Sequence, residues 1–435
     1  MRGVFFLGAA LALTFMGFWS PIVFALGYIW ADIVAPNRIA PYALGWISLP
    51  MVFGILVLLF LPKAIGSSEP RWNWTSTLLL LHGIWMTLSL NWAVYPDAAW
   101  FSWEYAIKAL VFALILPWLL RSRASVEAMV WTLVLCVALH AAPFGLKFVL
   151  GGGGYRQSLG LIASNSNYAE SSTLAMLAIS IMPMVWFLMR HQSVFSNQKL
   201  VRYSAIAGTV LLALSMGGTY ARTGLVCLAA LIALMIMQRG QRGLKIVLGV
   251  VALIGIYLAA PEHWFERMFS IEDTTDRSSM GRVAVWKWTL EYVAAHPFGG
   301  GFGIWRSSQF TLPLIDGTEL AVQGKAFHSI YFEVLGSLGY PGFFLYFGFI
   351  ASALIVLLRL TRRPVADDGG DAWIPDLARS LILTMLIYLT GGLFIGVAFQ
   401  SYPLYLVALS VGLAGLARNA SEVPRPSTPR SGESP

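Results

Sequence analysis

Apolar stretches close to the length of a membrane crossing recur from one end of the chain to the other, and they restrict the fold more than any other feature. They fall near 3–31, 43–62, 76–92, 100–120, 125–150, 163–189, 203–219, 223–238, 244–260, 329–358, 378–397 and 402–417. About twenty apolar residues in a helix span the hydrocarbon core, where backbone polar groups must be satisfied internally. Hydrophobic residues fill 57% of the 435 positions and charged residues only 11%, against about a quarter charged in a soluble domain. Mean hydropathy is +0.70. The sequence therefore predicts an all-α, polytopic membrane bundle of about twelve transmembrane helices. The first stretch is long and interrupted at Ser20-Pro21, which permits one tilted span or a broken one; it is counted once here.

Charge sets the orientation. Arg2, Lys63, Arg71, Arg121, Arg123, Arg190, Lys199, Arg202, Arg239, Arg242, Lys245, Arg359, Arg362, Arg363 and Arg418 all lie in alternate connections. Cytoplasmic loops collect Lys and Arg, so these connections and both termini are expected in the cytoplasm. The same rule accounts for the net charge of +8 without nucleic acid. Arg2 and Ala10-Leu-Ala12 imitate a signal peptide, but further apolar sequence follows, which favours a retained first span. Cys136 and Cys227 lie inside apolar runs as packing residues, with no metal-ligand spacing around them, so neither metal nor cofactor is expected. Four regions result: membrane helices over 1–260, an outer loop with short helices over 261–328, further membrane helices over 329–417, and a Pro-, Ser- and Arg-rich tail, 418–435, expected to be disordered.

A membrane protein that keeps one large polar and aromatic loop has usually given it a task. After topology is served, Arg38, Arg156, Arg222, Arg267, Arg277, Arg282, Lys287, Arg306 and Lys325 remain near the outer face. The guanidinium fork suits phosphate oxygens, and a diphosphate on a lipid would sit at this depth. Arg222 lies in Gly217-Gly-Thr-Tyr-Ala-Arg-Thr-Gly224, where Tyr220 and Gly224 let a ligand approach; the alternative is a snorkelling hairpin arginine. Arg282 and Trp286 share one face of an interfacial amphipathic helix that either contacts substrate or only anchors the loop. Arg156 follows the Gly151–Gly154 run, read as a flexible turn at the outer mouth. Asn165 and Asn167 suit helix capping, or with Tyr168 a sugar contact. Arg267, Arg277, Arg306 and Lys325 are assigned by default to loop surface or intraloop ion pairs.

His328 directly precedes a strong apolar helix. The positive helix N-terminus disfavours imidazolium, leaving a neutral ring able to accept a proton, or else a plain hydrogen-bonded cap. Glu333 lies five residues on, about 140° round the helix, and is a poor orienting partner. Tyr331, on the same helix, is a further candidate contact.

His328-Ser-Ile-Tyr-Phe-Glu-Val-Leu-Gly-Ser-Leu-Gly339-Tyr-Pro-Gly342, with Gly281-Arg282, Trp286, His296-Pro-Phe-Gly-Gly-Gly-Phe-Gly303 and Arg222-Thr-Gly, resembles the signature of the O-antigen ligase and polymerase superfamily. The chain departs from that pattern at Ala221, where serine is frequent, and at Ser329, where asparagine is. Trp30-Ala-Asp-Ile-Val-Ala-Pro-Asn-Arg38 and Asn91-Trp-Ala-Val-Tyr-Pro-Asp97 resemble an O-glycosylation ligase subgroup associated with exosortase systems. The resemblance implies a glycosyltransferase C-like membrane fold and inverting, metal-independent glycosyl transfer on the periplasmic side of a Gram-negative inner membrane. The donor it implies is a glycan on undecaprenyl diphosphate, and the acceptor lipid A-core or protein. His328 would be the base, with Arg222, Arg282 and Arg156 on the diphosphate and Asn165, Asn167, Tyr168, Tyr220, Trp286 and Tyr331 near glycan or acceptor. A polymerase of the same superfamily is the first alternative, and a lipid-linked glycan flippase the second.

Overall fold

A computed structural model describes residues 2–65, 71–150, 168, 170–237, 249, 257, 277–313, 318–363 and 372–422. The described chain is almost wholly helical. In order run α1 (Arg2–Trp19), α2 (Ile22–Val34), α3 (Pro36–Ile39), α4 (Pro41–Leu44), α5 (Leu49–Ile65), α6 (Trp74–Leu88), α7 (Pro96–Leu119) and α8 (Arg123–Val149). They are followed by α9 (Ser171–Ser180), α10 (Met182–His191), α11 (Gln198–Thr219) and α12 (Arg222–Met237). Then come α13 (Arg277–Ala295), a β-hairpin of β1 (Gln309–Pro313) and β2 (Glu319–Gln323), α14 (Ile330–Thr361), α15 (Trp373–Gly391) and α16 (Ser401–Glu422). Among the described residues, eight helical stretches are long and apolar enough to cross a membrane, with α9 and α10 running on as one, and α2, α5 and α12 are shorter apolar helices. The predicted all-α polytopic bundle is the observed class. The expected crossing near 244–260 lies, apart from Gly249 and Tyr257, outside the described residues.

Side-chain caps start several helices by satisfying orphan N–H groups. Asn73 accepts from Ser76 N at 3.2 Å, Ser122 and Ser125 form a capping box, and Asn197 accepts from Leu200 N at 3.0 Å. At α9 the cap is Glu170, whose carboxylate accepts from Thr173 N at 2.6 Å. Asn165 and Asn167, expected to cap the next helix, lie outside the described residues. Close packing in the bundle uses small residues, as lipid-embedded helices do. An added Cβ at Gly145 would come within 2.1 Å of Leu211 O, and one at Gly218 within 2.3 Å of Phe144 O.

The first apolar stretch is broken at Ser20-Pro21, and α1 and α2 form a hairpin. Lys63 Nζ donates to Phe18 O at 3.2 Å at one end, while a Cβ on Gly3 would lie 2.7 Å from Ala43 Cβ at the other. At the C-terminus Arg71 donates to Leu120 O and Gly412 O, and Arg121 donates to Ile65 O, which brings the end of α16 beside the end of α5. Arg2 and Glu422 therefore occupy opposite ends of the bundle. The break at Ser20-Pro21 makes two helices of the stretch counted once above, where both termini were expected on one side. The last helix also continues through Glu422, past the expected boundary at 418.

The outer loop is more regular than short helices alone. α13 has 19 residues, and Val285, Thr289 and Val293, spaced a helical turn apart, are all fully buried. The hairpin pairs Gln309 with Gln323 and Leu312 with Leu320. Residues 261–276, including Arg267, the His263 region and Glu272–Asp276, lie outside the described residues.

Candidate active site at the outer end of the bundle

The loop is locked onto the bundle by glycines. Gly299, Gly301 and Gly303 have φ of 75°, 78° and 82°, and Gly339 has φ 65° and ψ −166°, a kink inside α14 that only glycine adopts without strain. Across the seam Gly300 N donates to Gly336 O at 3.0 Å, Gly301 N to Ser337 O at 2.9 Å, and Tyr340 N to Pro297 O at 2.9 Å. From below, Val94 N donates to Gly300 O at 2.9 Å, Trp92 Nε1 to Phe298 O at 3.2 Å, and Trp85 Nε1 to Leu338 O at 2.9 Å. The three glycine- and tryptophan-bearing motifs are thus one clasp, not separate features.

That clasp presents His328. Its φ of 49° is left-handed, uncommon for a residue with a side chain though less so for histidine. The backbone on both sides is held: Trp286 Nε1 donates to Phe327 O at 2.8 Å, and Ile330 N donates to Gly392 O at 2.8 Å. Trp286 stacks on Phe332 at 5.0 Å and 5°, and the buried Phe327 ring lies against Gly336. The imidazole is half-buried. Burial first, then the charges of Arg282 and Lys325, hold it below the ordinary histidine range, while the Glu170 carboxylate opposes them. The neutral ring expected from the helix N-terminus is favoured here by desolvation and neighbouring cations. Glu333 is engaged elsewhere, accepting from Ala398 N at 2.9 Å.

Arg282 thus stands beside His328. Arg222 opens α12 at the same end of the bundle, after Tyr220 closes α11 in a left-handed cap. Gly224 packs against Ala175 of α9, and Gly391 against Met176 of α9 and Cys227 of α12, with Gly392 on Ile330. So α9, α12, α14 and α15 meet here. Lys325 and Glu170 join this cluster although sequence reasoning left both out. Lys325 reads as loop surface until the hairpin returns it beside Gly281, where a Cβ would sit 3.2 Å from its Cε. The signal available for Glu170 was its spacing to Thr173, a capping pattern.

The aromatic candidates divide differently. Trp286 props the histidine segment rather than facing membrane headgroups. Tyr168 is buried; its hydroxyl donates to Asp32 at 3.4 Å and accepts from Tyr402 N at 3.1 Å, so it is a tie between elements and not a presented sugar platform. Tyr331 stacks on Phe347 at 4.8 Å and donates to Leu389 O at 3.1 Å, and Tyr220 is 1% exposed. Arg306 lies against the Tyr95 and Trp305 rings. Arg156, Asn165 and Asn167 lie outside the described residues. Cys136 and Cys227 are buried free thiols, and among the described residues no three His, Cys, Asp or Glu side chains group as metal ligands.

Fold and site together define a polytopic membrane protein in which the segment before α14 presents a histidine among cations. Residues 207–347 match the family described as O-antigen ligase, and residues 1–193 match a family of unknown function, DUF5935. Arg222, Arg282 and His328 all fall within the residues that match the O-antigen ligase family. No curated protein matches the chain.

Proposed function

We propose that the protein is an inverting glycosyltransferase of the bacterial inner membrane, with its site facing the periplasm. It moves a glycan from undecaprenyl diphosphate to a hydroxyl of lipid A-core or of a protein. His328 accepts the proton of the acceptor hydroxyl as that oxygen bonds to the anomeric carbon. The bond from that carbon to the diphosphate oxygen breaks on the opposite face, and the electron pair leaves on the diphosphate, where Arg222 and Arg282 meet the growing charge. Attack opposite the leaving group inverts the anomeric centre. No metal is needed for this balance, because two guanidinium groups supply the positive charge.

The observation that carries the reading is His328 itself: left-handed, clamped on both sides and kept neutral beside Arg282, within the residues that match the O-antigen ligase family. Backbone strain held by its surroundings clusters at working sites. The test is purified protein given one lipid-linked glycan with and without acceptor. His328→Ala should abolish transfer while leaving the melting temperature unchanged; undiminished turnover would remove the base. Arg222→Lys should also impair transfer, since a point charge does not replace the fork. Lengthened lipid-linked chains would make the protein a polymerase, and glycan found on core lipid or protein a ligase.

A further inference from the structure

A cavity of about 630 Å³ lies between α2, α5, α7 and the connection from α2 to α5, outside the cluster around His328. Its walls are apolar and come from two helices: Met51, Ile55 and Leu58 on α5, and Phe101, Val111 and Ile115 on α7. From Phe101 to Ile115 the groove follows α7 for about 21 Å at the helical rise. Several of these side chains are among the exposed large hydrophobics, Phe101 at 76% and Leu58 at 54%, so the groove opens sideways where a bilayer would lie. Its volume is that of a small-molecule site, not of a packing defect.

One end is polar. Asn37, Arg38 and Ser48 line it there. Glu104 pairs with Lys108 at 2.5 Å, and Tyr105 beside Glu104 donates to Asp32 at 3.2 Å, which sets these charges at neighbouring levels. The charged lining holds two cations, Arg38 and Lys108, and two carboxylates, Asp32 and Glu104. A diphosphate would bring several negative charges to a wall with no net positive charge and would face two carboxylates. A headgroup with one phosphate and one ammonium matches the wall in both signs.

We propose that this groove binds a zwitterionic phospholipid, one acyl chain lying between α5 and α7 and the headgroup at Arg38. It is a lipid site in the region of unknown function, and it does not depend on the transfer reaction proposed above.

Gly54 supplies the test. A Cβ there meets only the Tyr28 ring, at 3.5 and 3.6 Å, so a larger side chain can enter the groove without striking backbone. The full chain is placed in nanodiscs of phosphatidylethanolamine and phosphatidylglycerol, with a trace of phosphatidylethanolamine bearing a photoactivatable acyl chain. After irradiation, adducts are mapped by mass spectrometry. They should concentrate on 51–58 and 101–115. Gly54→Phe should lower them at least fivefold, whereas Gly8→Phe, at a site with nothing within 4 Å, should leave them unchanged. If Gly54→Phe does not fold, Gly54→Leu replaces it. Unchanged labelling in the folded groove-filling variant would overturn the site. Displacement of the probe by polyprenyl diphosphate at lower concentration than by phosphatidylethanolamine would overturn the ligand, as would equal labelling by a phosphatidylglycerol probe.

Discussion

Replacing Gly339 with alanine tests whether the loop is held to the bundle by the clasp described above. At φ 65° and ψ −166° any residue with a side chain is strained by about 1–3 kcal/mol. The new Cβ would also stand 2.1 Å from Pro297 O and 2.4 Å from Phe298 C, distances that only separation of the two segments can relieve. Separation removes the bonds from Gly300 to Gly336, from Gly301 to Ser337 and from Tyr340 to Pro297, each worth about 0.5–1.5 kcal/mol net. Together these give about 2.5–7.5 kcal/mol, and even the lower figure changes the docked-to-undocked ratio by about sixtyfold. The loop should undock while the helices persist. Limited trypsin digestion in detergent reads this directly, because Lys287 and Lys325 lie in the loop: cleavage there should accelerate with little change in far-ultraviolet circular dichroism. Gly8→Ala, with nothing within 4 Å of the added atom, should digest like the parent. Parental protease resistance in Gly339→Ala would refute the clasp.

The lowered pKa of His328 keeps the ring neutral through the physiological range, so the acid limb of transfer should lie below the ordinary histidine value of about 6.5. Lys325→Gln removes a charge that disfavours imidazolium and should move that limb to higher pH; an unmoved or downward-shifted limb would show that Lys325 does not act on His328. Reporter fusions at the two ends should fall on opposite sides of the membrane, since Arg2 and Glu422 occupy opposite ends of the bundle, and a shared side would sink the α1–α2 hairpin. Asp32 accepts hydroxyl bonds from Tyr105, Tyr168 and Tyr405, so Asp32→Asn should destabilise the protein by about 1.5–3 kcal/mol, read as a lower melting temperature, and an unchanged one would mean that the hub contributes nothing.

Much of the bundle was legible because a bilayer tolerates few backbone solutions, and apolar length then nearly dictates helix position. The N-terminal hairpin was not. Arg2 obeys the same charge rule as the cytoplasmic cations, and Ser20-Pro21 is consistent with either a kink or a reversal; contacts of Gly3 with Ala43 and of Phe18 with Lys63 decide it, and those pairs are distant in sequence. The five-residue strands escaped notice because alternation over so few positions in a polar loop carries little signal. At the site, His328, Arg282 and Arg222 stood out as charges or imidazole where apolar sequence resumes. Tyr168 and Tyr331 looked equally suited to sugars, yet their hydroxyls bind Asp32 and Leu389 O. An aromatic ring near a polar segment reads the same whether its hydroxyl is spent or offered.

The clasp also gives the amino-terminal region a physical reason to accompany residues 207–347. Residues 1–193 and 207–347 match separate families, but the glycine loop before α14 is held from both. Trp85, Trp92 and Val94 bond Leu338, Phe298 and Gly300 from beneath, and a Cβ on Gly301 would strike Ala93 at 2.5 Å. His328 follows that loop by one hairpin and precedes the Gly339 kink by three helical turns, so the segment that carries it runs between two parts of a clasp that neither region supplies alone. Half-buried Asp32 extends the same dependence to the far side of the cluster, joining α2 to Tyr168, two residues from Glu170, and to Tyr405 of α16. The transfer proposed above, with attack on the anomeric carbon opposite the departing diphosphate, tolerates little displacement, and the amino-terminal helices share in that positioning.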